Sequence, residues 1–305
     1  MIGNSSLYKI KIEHIRDGLV EEFHEGVLQV GTVSDDKTPY YLRSCAKPLQ
    51  ASLLIDNGID LLPEELALCC GSHAGEDCHI EVARRILNKI GLDESYLKCG
   101  THAPLSRTKQ DKMLISGEKA GSIHNNCSGK HIGFLAICKK NGWDLDTYYE
   151  PEHPLQVAVK NKINELCEVT EEYPVTTDGC GVPILSMPLA NMVKGFVNLN
   201  KNYPDIIKAI RQYPYIFGGE NRTDTEIIQK TDNLIAKVGA GGLCVVLNTK
   251  TNEGFAVKIN DCSYDARRIA VFETINKSGW ENIEYDNEIY TLHGKNVGFI
   301  KVSIN

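Results

Sequence analysis

The chain has 305 residues, of which 42% are hydrophobic and 24% charged, and a net charge of −7. That balance supports a sizeable buried core and argues against a disordered chain. Lys and Arg never run longer than two together, so the clustered basic face that nucleic acid needs is missing, and no apolar run approaches the ~20 residues of a membrane helix.

The chain opens on a short strand, Ser6–Ile12, followed by a second at Val27–Val33. No basic stretch followed by an apolar one precedes them, so a cytoplasmic protein is expected. Helices are predicted over Pro48–Asn57, Asp77–Ile90, Gly129–Lys140, Leu155–Cys167, Ser186–Val197, Pro204–Arg211 and Thr223–Gln229. The Asp77 segment repeats apolar residues at Ile80, Ala83, Ile86, Leu87 and Ile90, one helical face, and stops at Gly91. Strands return at Leu234–Val238, Leu243–Asn248 and Phe255–Ile259, the last two joined by the turn-forming Thr249–Gly254. A late helix, Asp265–Lys277, and a final strand, Val297–Val302, follow.

Strands at both ends around a helical middle predict an α/β (α+β) fold. The terminal strands should form one antiparallel sheet, because a two-stranded ribbon is marginal alone. Residues 1–46 and 232–305 would build the sheet lobe of a single domain, and residues 47–231 a mainly helical lobe, with a cleft between them. The 11 cysteines include no Cys-x-x-Cys pair. They are expected to be reduced thiols, and any metal site must draw on distant segments.

Five segments carry residues able to do chemistry. In Ser44-Cys45-Ala46-Lys47, positions i and i+3 share a helical face, so hydroxyl and amine can meet. Pro48 belongs in a first turn, which puts Ser44 at a helix N-terminus, where developing negative charge is favoured. Taken alone, the motif is equally an N-cap serine and a solvated lysine. Ser72 lies between Gly71 and His73 in a tight turn after an apolar run, which an ordinary loop would also explain. Asn126-Cys127-Ser128-Gly129-Lys130-His131 opens a helix, with Cys127 and Lys130 at i and i+3, but lacks the frame of a phosphate loop. Thr177-Asp178-Gly179-Cys180-Gly181 makes a sharp turn that presents Asp178 and Cys180 together. Lys237-Val238-Gly239 ends a strand, with glycine leaving room for a ligand.

Together these segments resemble the rhizobial-type, or class 3, L-asparaginase family, also called the thermolabile asparaginases. The resemblance rests on Arg43–Pro48, Cys70–His73 with Glu76–Ile80, Cys99–His102, Asn126–Gly133, Thr177–Cys180 and Lys237–Ala240, in that order. It implies a fold similar to serine β-lactamases and glutaminases, a homodimer, and two pairs, Ser44 with Lys47 and Ser72 with Lys237. It also implies a zinc ion held by Cys127, Lys130 and Cys180. On this reading Ser44 or Ser72 attacks the side-chain amide of L-asparagine, and Lys47 and Lys237 act as base and acid. Arg43 would meet the substrate carboxylate and Asp178 its ammonium or the lysines, Asn126 and Gly239 would line the substrate site, and His131 would either back that site or simply be a packed residue. Gly241 stands where the family often carries an acidic residue. Two rivals remain at this point: a β-lactamase or penicillin-binding-like acyl hydrolase, and an inactive protein that binds an amino acid or zinc.

Overall fold

The computed structural model describes residues 6–305; Met1–Ser5, part of the segment read for a secretion signal, lie outside them. Strands β1 (Ser6–Arg16) and β2 (Leu19–Val30) form a long hairpin. Asp17 and Gly18 close it at φ 46° and 83°, the two positive values that suit a tight hairpin turn. After β3 (Tyr40–Tyr41) and a 3-10 turn over Arg43–Ala46 come α1 (Lys47–Asp56), α2 (Pro63–Cys70), α3 (Asp77–Lys89), α4 (Arg107–Ser116), α5 (Ser128–Asn141) and α6 (Pro154–Cys167). Strands β4 (Val175–Thr177) and β5 (Pro183–Met187) precede α7 (Leu189–Asn202), α8 (Pro204–Gln212), α9 (Pro214–Phe217) and α10 (Thr223–Lys230). The chain finishes with β6 (Leu234–Gly239), β7 (Leu243–Asn248), β8 (Glu253–Ile259), α11 (Tyr264–Ser278), β9 (Glu288–Tyr290) and β10 (Asn296–Ile304).

The expected antiparallel sheet forms, in the order β6-β7-β8-β2-β1-β10-β9. The first two strands join the C-terminal set through β2 on β8 and β1 on β10. One expected helix is corrected. Residues 186–197 divide into the end of β5 and most of α7, because Pro188 disfavours a helical residue before it and itself caps α7. Helices α2 and α4 were not expected. The first of them starts on Pro63, and Glu65 accepts a hydrogen bond from the Leu62 N–H at 2.9 Å, a carboxylate in the first turn satisfying an orphan donor.

Strands β6 and β7 are buried on both faces, so their sequence is nearly continuous in apolar residues rather than alternating. Period-two geometry still sorts them. Leu234, Ala236 and Val238 pack with Val246, Val257 and Phe272 of α11. Ile235 packs with Val245, Leu49 of α1 and Val193 of α7. Lys237 lies on the Ile235 face, so the strand aims a fully buried lysine toward the helices.

Candidate active site

Lys47 is the first residue of α1, and Pro48 occupies the first turn as expected. Its ammonium nitrogen donates to Ser72 Oγ and to the Asn126 carbonyl, each at 2.9 Å. The meeting depends on two helix ends. Ser72 follows the C-terminus of α2, and Asn126 precedes α5. A Cβ at Gly129 would lie 2.4 Å from the Leu68 carbonyl oxygen, so only glycine lets α5 sit this close to α2. Lys47 is 1% and Ser72 2% exposed. Burial pushes Lys47 below the usual lysine range; the charges of Lys130 and Lys237 add to this, and Cys127 opposes it. The expected hydrogen-bond pairing is therefore crossed. Lys47 bonds Ser72, whereas Ser44 Oγ, three residues before it, makes no hydrogen bond among the described residues. Sharing a helical face does not outweigh the tertiary contact.

Lys237 Nζ pairs with Asp224 Oδ2 at 3.2 Å and donates to the Val238 carbonyl at 3.0 Å, not to Ser72. Both ends of the ion pair are fully buried. Burial alone would raise the Asp224 carboxyl, but Lys237, Arg222 and Arg267 hold it below the usual range. Gly239 does not leave space for a ligand, as the sequence suggested. A Cβ there would meet Leu42 O at 3.1 Å and Cys45 Sγ at 3.2 Å, so its role is to let β6 press against the turn that carries Ser44.

A cleft above Lys47 is lined by Arg43, Ser44, Lys47, Gln50, Lys130 and Asp178, with apolar walls from α6 and β5. Ser44 is half-buried in the 3-10 turn, where the Cys45 N–H donates to the Leu42 carbonyl at 3.0 Å. Arg43 Nε donates to Asp178 Oδ1 at 2.8 Å. Arg43 holds φ at +47°, a left-handed conformation that strains a residue with a side chain by about 1–3 kcal/mol. Burial acts to raise the Asp178 carboxyl, but Lys130 and Arg43 bring it below its usual range. A cation and an anion side by side complement a zwitterionic amino acid.

The Asp178–Gly181 turn, closed by the Gly181 N–H to the Asp178 carbonyl at 2.9 Å, brings Cys180 to α5. Lys130 Nζ lies 2.8 Å from Cys180 Sγ, while the Cys127 thiol donates to Asn126 Oδ1 at 3.6 Å and the Cys180 thiol to Asp178 Oδ2 at 3.7 Å. All three side chains are buried. The two thiols influence each other in opposite senses, Cys127 being held below the usual thiol range and Cys180 above it. His131 points elsewhere. Its Nδ1 meets the Tyr148 hydroxyl at 2.7 Å, Nε2 is buried without a partner among the described residues, and burial holds the ring neutral. It does not line the cleft. A separate metal-capable cluster, His14, Glu22 and His24, sits on the β1–β2 hairpin with its ligand atoms within 4.8 Å of one another.

The sequence profile of the L-asparaginase II family matches residues 12–301. The chain belongs to the L-asparaginase II family. A search of curated protein sequences returns no match. Among solved structures, a β-lactamase from Mycobacterium bovis is similar at 12% identity and a TM-score of 0.41, over 88% of this chain and 94% of that one. A D-alanine carboxypeptidase from Burkholderia cenocepacia is similar at 15% identity and a TM-score of 0.37, over 88% of this chain and 93% of that one.

Sequence reasoning missed Asp224. It sits in Thr223-Asp224-Thr225 at the start of α10, where an acidic residue reads as a solvated first-turn charge. The signal was the buried lysine itself: an apolar strand carrying Lys237 requires an anion nearby.

Proposed function

We propose that this member of the L-asparaginase II family is a rhizobial-type L-asparaginase, hydrolysing L-asparagine to L-aspartate and ammonia. The observation that carries the reading is Lys47: buried, biased toward its neutral form, and fixed by two hydrogen bonds at the floor of a cleft lined by Ser44. A neutral amine has two N–H groups. Ser72 and Asn126 accept both, which leaves the lone pair free to take a proton. Ser44 attacks the side-chain amide carbon as Lys47 removes its proton. The lysine then protonates the departing ammonia, and a water molecule, deprotonated in turn, releases aspartate from the acyl-enzyme. Ser72 positions the base. Lys237, paired with Asp224, supplies a fixed positive charge that favours neutral Lys47 rather than a second base. Arg43 and Asp178 receive the substrate carboxylate and ammonium, and α-amino acid amides are preferred for that reason.

Two thiols and an amine converging in a buried turn are a donor set suited to zinc. Cys127, Lys130 and Cys180 would hold it, and the bound ion would supply a fixed divalent charge beside the substrate site. The eleven cysteines, all within the described residues, are unpaired thiols, which supports a reducing compartment such as the cytoplasm. No helix among the described residues is long and apolar enough to cross a membrane. A homodimer is part of the same reading. A coupled ammonia assay with asparagine and glutamine side by side tests the proposal. Ammonia from asparagine, abolished in Ser44→Ala, is expected. Hydrolysis of a chromogenic β-lactam in its place, or tight amino-acid binding with no ammonia release, would replace the reading with one of its rivals.

A further inference from the structure

The β1–β2 hairpin carries a cluster that the proposed reaction does not use. Opposed residues of an antiparallel pair share a face, as do residues two apart. His14 opposes Glu22 and Ile12 opposes His24, so His14, Glu22 and His24 share one face. It is the face on which Ile10 and Ile12 pack in the α11 core, opposite the side that bears Lys237. The register slips immediately beyond His14, between His14 and Ile15, leaving Glu21 as the extra residue. Such a bulge bends a strand and re-aims its side chains.

His24 is 6% exposed, and its two nitrogens are engaged differently. Nδ1 lies 2.5 Å from Asp261 Oδ2, and Nε2 lies 3.4 Å from Glu22 Oε1. The His14 and His24 rings meet edge-on at 5.2 Å. His14 Nε2 is buried with no hydrogen-bond partner among the described residues. The contacts to Asp261 and Glu22 engage both His24 nitrogens but leave His14 Nε2 unpaired among the described residues, which is unfavourable for a buried polar atom. A cation at the centre engages all three.

We propose that His14, Glu22 and His24 form a binding site for a divalent transition-metal ion, separate from the cysteine–lysine set, with Asp261 as the outer partner that fixes the His24 tautomer. Ligand atoms at about 2.0–2.2 Å from a tetrahedral ion lie about 3.3–3.5 Å apart. The Glu22–His24 spacing of 3.4 Å already meets this, and the remaining ligand atoms lie within 4.8 Å of one another. Two imidazoles and a carboxylate suit zinc and its neighbours and leave a position for water. A carboxylate behind a ligating imidazole is the usual outer arrangement of such sites. Because Asp261 follows β8 and leads into α11, a bound ion links the hairpin, through His24 and Asp261, to the turn before α11.

Zinc chloride alone is the probe, titrated calorimetrically into the chelator-stripped full chain carrying Cys127→Ser and Cys180→Ser. One zinc per chain is expected. Glu22→Gln, at a side chain 60% exposed and so safe for folding, should weaken it at least tenfold, Asp261→Asn by about 10–100-fold, and His14→Asn should abolish it. Zinc should raise the melting temperature of this background but not of its His14→Asn derivative. Should the double cysteine variant misfold, the wild-type chain gives the same answer by stoichiometry, two zinc ions falling to one in His14→Asn. A background that takes up no zinc, or an uptake untouched by all three substitutions, overturns the proposal. None of these readouts involves ammonia release, so the asparaginase reading stands or falls separately.

Discussion

Replacing Asp224 by asparagine isolates the charge that holds Lys237. The shape is kept, and the ammonium left behind is fully buried and loses its counter-ion at 3.2 Å. Breaking an interior ion pair from one side costs about 3–5 kcal/mol, because the remaining charge is uncompensated. At about 2.1 cal/mol/K of unfolding entropy per residue, a chain of 305 residues shifts its melting temperature by roughly 1.6 °C per kcal/mol, so a fall of about 5–8 °C is expected. Removing both partners, as Asp224→Leu with Lys237→Met, should recover most of the loss, since a well-packed apolar pair is often neutral. The pH dependence has a definite sign. The folded Asp224 carboxyl sits below its ordinary value, held there by Lys237, Arg222 and Arg267 against burial. Its contribution is therefore complete above the unfolded value of ~3.9 and lost as pH falls through the folded one. Wild type and Asp224→Asn should converge in acid. Urea unfolding followed by circular dichroism, from about pH 7 to pH 3, measures the gap. A variant within about 1 kcal/mol of wild type at neutral pH, or a gap that does not narrow in acid, would refute the reasoning.

Ser44→Ala should lower kcat by at least ~10³, and Ser72→Ala by a comparable factor through a misplaced Lys47, both variants staying folded; near-full activity in either removes that serine from the mechanism. Lys47→Arg should be almost as damaging as Lys47→Ala, because arginine keeps the charge but cannot shed its proton, and an active arginine enzyme would place the base elsewhere. Since burial disfavours the charged form of Lys47, kcat/KM should rise with pH along a limb lying below the ~10.4 of a free lysine. A profile rising only at the free-lysine value contradicts that placement. Stripping zinc, or Cys180→Ser, should raise KM while kcat stays within about tenfold, read from initial rates; complete loss of kcat would make the ion catalytic.

Much of the fold is legible because its signals are local. The Asp77 helix has a strict apolar stripe and a glycine stop, and it spans Asp77–Lys89. The sheet follows from strands that cannot stand alone. Residues 186–197 misled because β5, Pro183–Met187, is short and buried along most of its length without a clear alternation, and such a segment is hard to tell from a buried helix. At the site, spacing put Cys127 and Lys130 together at the start of α5. It could not reveal that Lys47 would bond Ser72, which depends on how closely α5 approaches α2 at Gly129. Asp224 was invisible for a similar reason: its partner lies 13 residues away on a different element.

The order of the strands has a consequence for the chain as it is made. Strand β2 finds its sheet neighbour in β8, and β1 in β10, so the hairpin leaves the ribosome and waits for partners that are made much later. At about 5–20 residues per second that wait is roughly 10–50 s. Throughout it, Ile10, Ile12 and Leu28, all fully buried in the finished protein, are open to solvent along unpaired strand edges. Nascent chains should therefore depend on holding chaperones more than their final stability implies. Slowed translation of the helical middle section should increase aggregation rather than relieve it.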